Sequence, residues 1–141
     1  MTDLLVKLNY KGQERIAVIN ADESFNNYLS SSLREVVIDR SIDPRYPYSF
    51  MVLFVKTVNE VNDLTPVALH NLIADGVLWY CFPKKNSKKY LAGLDRANGW
   101  KILIDSGLRP VRQVSVNDDW SALRFRNIKY IKSAPDNPRG V

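Results

Sequence analysis

Nine residues near the C-terminus, Asp118-Asp119-Trp120-Ser121-Ala122-Leu123-Arg124-Phe125-Arg126, gather two carboxylates, an indole, a phenyl ring and two guanidiniums. Carboxylates move protons, guanidiniums grip carboxylates or phosphates in pairs of hydrogen bonds, and an indole offers a flat apolar platform. A second stretch, Phe82-Pro83-Lys84-Lys85-Asn86-Ser87-Lys88-Lys89, carries four lysines in six positions. Arg124 and Arg126 alternate with Leu123 and Phe125, so both lie on one face of a strand. There they either hold an anion or pair with Asp118 and Asp119, and pairing is the simpler use. Trp120 reads first as a core plug and second as a ligand platform.

Several familiar chemistries lack their parts. Cys81 lies in an apolar run and reads as inert packing, because a reactive thiol needs a neighbouring base and a lowered pKa. His70 is the one histidine, so no His/Cys metal set can be assembled, and none is expected. Neither G-x-G-x-x-G, G-x-x-x-x-G-K-[ST] nor G-x-S-x-G occurs. No catalytic residue is assigned, and the reading leans away from an enzyme. Asp118, Asp119, Lys84 and Lys85 remain the only acid–base set in view.

The bulk properties agree with a small globular domain. The chain has 141 residues, 45% hydrophobic and 25% charged, with a net charge of +5. That charge is polarised: residues 1–83 sum to −3 and residues 84–141 to +8. Such polarity favours anionic partners, against the plain alternative of a solvated basic face. A lone cysteine makes no internal disulfide, and no apolar run approaches a bilayer span, so the expectation is a cytoplasmic protein without a membrane partner. Its oligomeric state is unreadable.

These residues must be positioned by regular elements. A short opening helix, capped by Thr2 or Asp3, carries Leu4, Leu5 and Leu8. Arg15 to Asn20 reads as a strand, Asp22 to Leu33 as a capped helix, and Glu35 to Asp39 as a short strand. The loop 40–47 holds two prolines. Tyr48 to Val55 is continuously apolar, the pattern of a strand covered on both faces. Thr57 and Glu60 have capping-box spacing, and Thr65-Pro66 offers a second cap, so a helix in one or two pieces is expected over about 58–74. Val77 to Phe82 is a second doubly buried strand. Leu91 to Leu103 suggests helical packing broken at Asn98-Gly99. Val111 to Val116 and the Leu123–Arg126 region form a terminal hairpin. The result is one α/β domain over 1–132, a three-layer sandwich with a mostly parallel sheet and an antiparallel C-terminal edge hairpin. Residues 133–141 read as a disordered tail.

Parallel sheets bind ligands outside the carboxyl ends of their strands. Asn20, Lys56, Lys84 and Lys85 then lie on one rim, with Asp119 and Trp120 joining from the following turn. On this basis the expected function is a module binding an anionic metabolite or nucleotide at that rim. The alternative is a nucleic-acid or protein interaction module using the basic, aromatic C-terminal half. The ligand-site candidates are therefore Lys84, Lys85, Lys56, Asn20, Trp120, Arg124, Arg126 and Asp119.

Two resemblances follow from these motifs. Leu78-Trp79, Pro83-Lys84-Lys85 with Ser87, Gly107-Leu108 before Val111, and Asp119-Trp120-Ser121-Ala122-Leu123-Arg124-Phe125-Arg126 together resemble a family of small bacterial domains of unknown function. The likeness spans about residues 7–126 and implies no activity, cofactor or catalytic residue. Lys7-Leu8 and Lys11-Gly12 before the first strand are also similar to the opening of methyltransferase-like α/β domains. Where those have a glycine-rich turn, this chain has Asn20-Ala21-Asp22-Glu23, so an adenosyl cofactor is not expected, and no other is.

Overall fold

The structure is a computed structural model that describes residues 3–131. The Thr2 cap and the tail 133–141 lie outside the described residues. The remainder forms helices α1 (Asp3–Lys7), α2 (Glu23–Ser32), α3 (Val58–Asn71) and α4 (Lys101–Asp105), and strands β1 (Arg15–Ile19), β2 (Val37–Asp39), β3 (Tyr48–Phe54), β4 (Leu72–Pro83), β5 (Leu108–Ser115) and β6 (Trp120–Asn127). A short 3-10 turn, Ile128–Tyr130, follows β6.

The six strands make one sheet in the order β2-β1-β3-β4-β6-β5. The first four are parallel, whereas β6 runs antiparallel to both β4 and β5. This is the mostly parallel sheet with an antiparallel C-terminal edge that the strand pattern predicts. Two apolar layers sandwich it. On one face Ala17, Met51, Leu53, Leu78, Tyr80 and Phe125 meet Val61 and Ala68 of α3 and Leu103 of α4. On the other, Ile16, Val18, Phe50, Val52, Trp79 and Cys81 meet Leu5 of α1, Leu8 just after it, and Phe25 and Leu29 of α2. The central strands are therefore apolar without alternation because both of their faces are dry.

One element takes one of its two expected forms, and two differ from the sequence expectation. Helix α3 is a single piece with Pro66 inside it. The Thr57–Glu60 capping box starts it, and the Thr65 hydroxyl bonds within it, donating to the Val61 carbonyl at 2.7 Å. Residues 72–74, expected at the end of that helix, instead open β4 together with Asp75, which lies in the left-handed region at φ 55°. Tyr48 already pairs with Leu72, so strand pairing overrides helical spacing there. Residues 91–99 are irregular rather than helical. They are pinned by the Trp100 indole, whose N–H donates to the Asp95 carbonyl at 2.7 Å.

Helix α2, after β1, packs on one face of the sheet, and α3, after β3, on the other. The winding thus reverses between β1 and β3, and the ends of these strands flank the crevice where such sheets take ligands.

Candidate functional site

The rim is built as the sequence predicts in one respect. Pro83 at the end of β4 pairs with Trp120 at the start of β6, so the lysine loop and the Asp118-Asp119 turn are neighbours. The Lys84 amide donates to the Asp119 carbonyl at 2.8 Å, and the Ser87 hydroxyl to the Asp119 carboxylate at 2.8 Å. The Lys84 ammonium reaches Ser115 Oγ at 2.6 Å. Lys84, Asn86, Lys88, Lys89, Asp118 and Asp119 enclose an open cavity of about 600 Å³.

The crevice between β1 and β3 is closed by aromatic packing. Trp120, 1% exposed, lies 4.9 Å from Phe54 and 5.0 Å from Tyr90, centroid to centroid. Phe54 in turn meets Phe25 at 5.1 Å. The Trp120 indole N–H donates to one carboxylate oxygen of Asp22 at 3.1 Å, and the other caps α2 by accepting from the Phe25 amide at 3.1 Å. Lys56 covers the stack, its ammonium 4.5 Å above the Tyr90 ring. The backbone of Gly93 presses on the end of β3 so closely that a Cβ there would meet the Lys56 carbonyl at 2.6 Å. Asn20, exposed at the end of β1, turns the chain with φ 60° and makes no cluster with the lysines.

Arg124 and Arg126 do not belong to this rim, nor do they pair with Asp118 or Asp119. A strand advances about 3.3 Å per residue, which carries Arg126 roughly 20 Å from Trp120. Arg126 instead makes two hydrogen bonds to Asp75, at 2.7 and 2.6 Å, and these hold the Asp75 carboxyl below its ordinary range. Arg124 sits opposite Trp79, with its Nε buried and unpartnered. Burial opposes its charge, and Arg126 and Arg112 add repulsion. Cys81 is fully buried and its thiol is pushed far up by desolvation, so it has no thiolate character.

A second cavity of about 400 Å³ lies under the irregular segment, on the α3/α4 face. Phe82 and Leu94 form its apolar wall, and Lys85, Arg96, Gln113 and Ser121 bring polar groups to it. Asp95 fixes the segment, accepting from the Ala97 and Asn98 amides at 2.8 and 2.9 Å. Bonding to Asn98 first, and to Ala97 next, lowers its pKa. Of these groups only Lys85 was singled out by the sequence. A serine at 121 inside the run Trp-Ser-Ala-Leu was the available signal, since a polar residue in an otherwise buried strand face requires a reason. Among the described residues no group of three or more His, Cys, Asp or Glu is arranged to hold a metal, and no helix is long and apolar enough to cross a membrane.

No protein-family model and no curated protein matches the chain. Its fold, however, is similar to solved methyltransferases. The N-methyltransferase NodS from Bradyrhizobium japonicum WM9, in complex with S-adenosyl-L-homocysteine, aligns with TM-score 0.54 and 13% identity over 89% of this chain and 83% of that one. A SAM-dependent methyltransferase from Aquifex aeolicus aligns with TM-score 0.53 and 13% identity over 89% and 88%. The pyocyanin biosynthetic protein PhzM gives TM-score 0.56 and 12% identity over 89% of this chain and 53% of that one. At such identity the shared property is the fold. The finding corrects the expectation of a separate module for anionic metabolites or nucleotides, and its interaction-module alternative: the fold is similar to that of solved methyltransferases, and the NodS structure holds S-adenosyl-L-homocysteine.

The residues here do not fit an adenosyl cofactor at the position such sheets offer. Both oxygens of Asp22 are engaged by the protein. Asp39, at the end of β2 where an acid would meet a ribose, accepts from Arg15 Nε at 2.7 Å and from the Tyr48 hydroxyl. No glycine stands between β1 and α2 to let a ligand approach the backbone.

Proposed function

We propose that this chain is a non-methylating protein on the methyltransferase architecture, one that binds a small molecule without the adenosyl cofactor. The observation that carries this reading is the Trp120–Asp22 hydrogen bond beneath Tyr90 and Lys56. It turns the strand-end crevice into packed core. A ligand entering there would have to break an indole bond, a helix cap and three aromatic contacts at once. We also assign the chain to the small bacterial family that its motifs resemble. The clustering of Pro83, Lys84, Ser87, Asp119 and Trp120 in one neighbourhood supports that assignment.

Titration with S-adenosylmethionine and S-adenosylhomocysteine tests the reading by calorimetry and thermal shift. A ligand present at 100 times its dissociation constant stabilises the native state by about 2.7 kcal/mol. The expected result at millimolar cofactor is no heat and no shift. Saturable binding of either compound, with perturbation of the Trp120 indole N–H signal, would overturn it.

A further inference from the structure

We propose that Arg112 and Arg124 form an oxyanion-binding site on the α1/α2 side of the β5–β6 hairpin, one that takes the carboxylate or phosphate group of a ligand lying against the sheet. The inference goes beyond the reading above and does not depend on the closed crevice. The site lies in mid-sheet, away from the strand ends and the lysine loop.

Strand alternation brings the two guanidiniums together. Trp120 and Ala122 of β6 belong to the α1/α2 core, so Arg124, two residues on, faces the same side. Arg112 of β5 pairs directly with Arg124. Side chains directly opposite in an antiparallel pair start about 5 Å apart at Cβ, so both can reach one ligand group, and like charges placed there weaken the pairing. The surrounding protein does not offset them. Among the described residues neither Arg112 nor Arg124 makes a salt bridge or a side-chain hydrogen bond. Asp75 is the acid whose field reaches Arg124, and both of its oxygens are already held by Arg126.

Arg124 is not an ordinary surface arginine. It is half-buried, and its Nε is the one buried side-chain nitrogen or oxygen without a partner among the described residues. Burial, then Arg126 and Arg112, disfavour its charge, yet a guanidinium keeps that charge at any ordinary pH. A desolvated cation without a counter-charge costs stability. Its Nη groups also lack a protein partner but are not buried, so an anion can meet them from solvent. The exposed Arg112 then closes on the same anion from the next strand. On the inner side Trp79 pairs with Arg124 and is fully buried, its indole N–H donating to the Leu8 carbonyl at 2.7 Å. The two arginines thus stand where the sheet passes from covered at β4 to open at β5. A carboxylate and a phosphate both match the guanidinium fork with two parallel hydrogen bonds. A neutral or cationic group would leave the charge unmatched.

The test follows the Nε–Hε NMR signal of Arg124 in the full chain during titration with sodium phosphate, sodium acetate and sodium chloride at matched ionic strength. A saturable shift with phosphate, acetate or both supports the site, and the tighter of the two identifies the ligand group. Chloride should leave the signal in place. Arg112→Ala should weaken the binding about tenfold, the loss of one charge-assisted hydrogen bond. Arg124→Met keeps the buried stem and removes the unmatched charge. Without added anion it should melt at or above the parent temperature, and neither oxyanion should raise that temperature further. No shift with either oxyanion, an equal shift with chloride, undiminished binding by Arg112→Ala, or a lower melting temperature for Arg124→Met would overturn the proposal. The adenosyl titration reads Trp120 instead, so the two readings fail separately.

Discussion

The crevice between β1 and β3 and the cavity beside β4 and β6 lie on the same rim, yet they have opposite chemistry. In the crevice the carboxylate and the rings are matched within the protein: Asp22 serves a helix cap and an indole, and Trp120 fills the space between Phe54 and Tyr90. Around the cavity Phe82 and Leu94 stay buried, and the polar side chains of Lys85, Arg96 and Gln113 face solvent. A shared fold therefore indicates where a parallel sheet can take a ligand, and the side chains decide whether it does. Here one aromatic residue at the start of β6 closes the expected place, and an irregular segment borders a separate cavity.

The largest way to break this contrast is to remove the plug. Trp120→Ala deletes a fully buried indole and should cost about 3–5 kcal/mol, a fall in melting temperature on the order of 10 °C. Trp120→Phe keeps most of the ring packing and loses the bond to Asp22, so it should cost far less. Thermal unfolding followed by circular dichroism measures both. If Trp120→Ala were as stable as the parent, Trp120 would be a loose side chain over an open crevice, and the closed-core reading would fall.

A smaller effect tests the other partner. Asp22→Ala removes the cap of α2 and leaves the Trp120 indole N–H without its acceptor. A lost cap costs about 1 kcal/mol and a stranded buried donor about 1–3 kcal/mol. We expect roughly 2 kcal/mol in urea denaturation, where the acceptor-retaining Asp22→Asn should recover part of it. A loss confined to the cap would mean that the indole bond contributes nothing to closing the crevice.

Much of this arrangement was legible in the chain. The unbroken apolar runs at Tyr48–Val55 and Val77–Phe82 announced strands covered on both faces, and the Thr57–Glu60 spacing announced α3. The lysine loop and the turn before Trp120 do lie side by side, because β6 runs antiparallel to β4 and its first residue, Trp120, pairs with Pro83 at the end of β4. What the sequence could not show was side-chain direction over long separations. Trp120 and Asp22 are 98 residues apart, and no local pattern announces that one will cap the other. Arg96 and Gln113 are joined by the irregular segment, which helical spacing at Leu91, Leu94 and Ala97 disguised. Arg126 looked like a partner of Asp119 because they are close in sequence, but the strand carries it to the far end of the sheet.

That far end supplies the smallest effect and a control for the rim. Asp75 and Arg126 are each about one-third exposed and joined by two hydrogen bonds. A partly solvated pair of this kind contributes about 1 kcal/mol at most. The bonds from Arg126, with the added fields of Arg126 and Arg124, hold the Asp75 pKa below its unfolded value. A depressed carboxylate pKa gives stability that is fully present above the unfolded pKa, near 3.9, and that disappears as pH falls through the folded one. Asp75→Asn should therefore be less stable than the parent at neutral pH, and the gap should shrink to nothing as the solution is acidified below about pH 4. Urea melts at a series of pH values measure it. Because this pair touches neither the crevice nor the cavity, the substitution should leave the NMR signal of the Trp120 indole N–H unchanged. A shift of that signal would mean that the two ends of the sheet are not independent, and the contrast between the two regions of the rim would have to be redrawn to include its opposite edge.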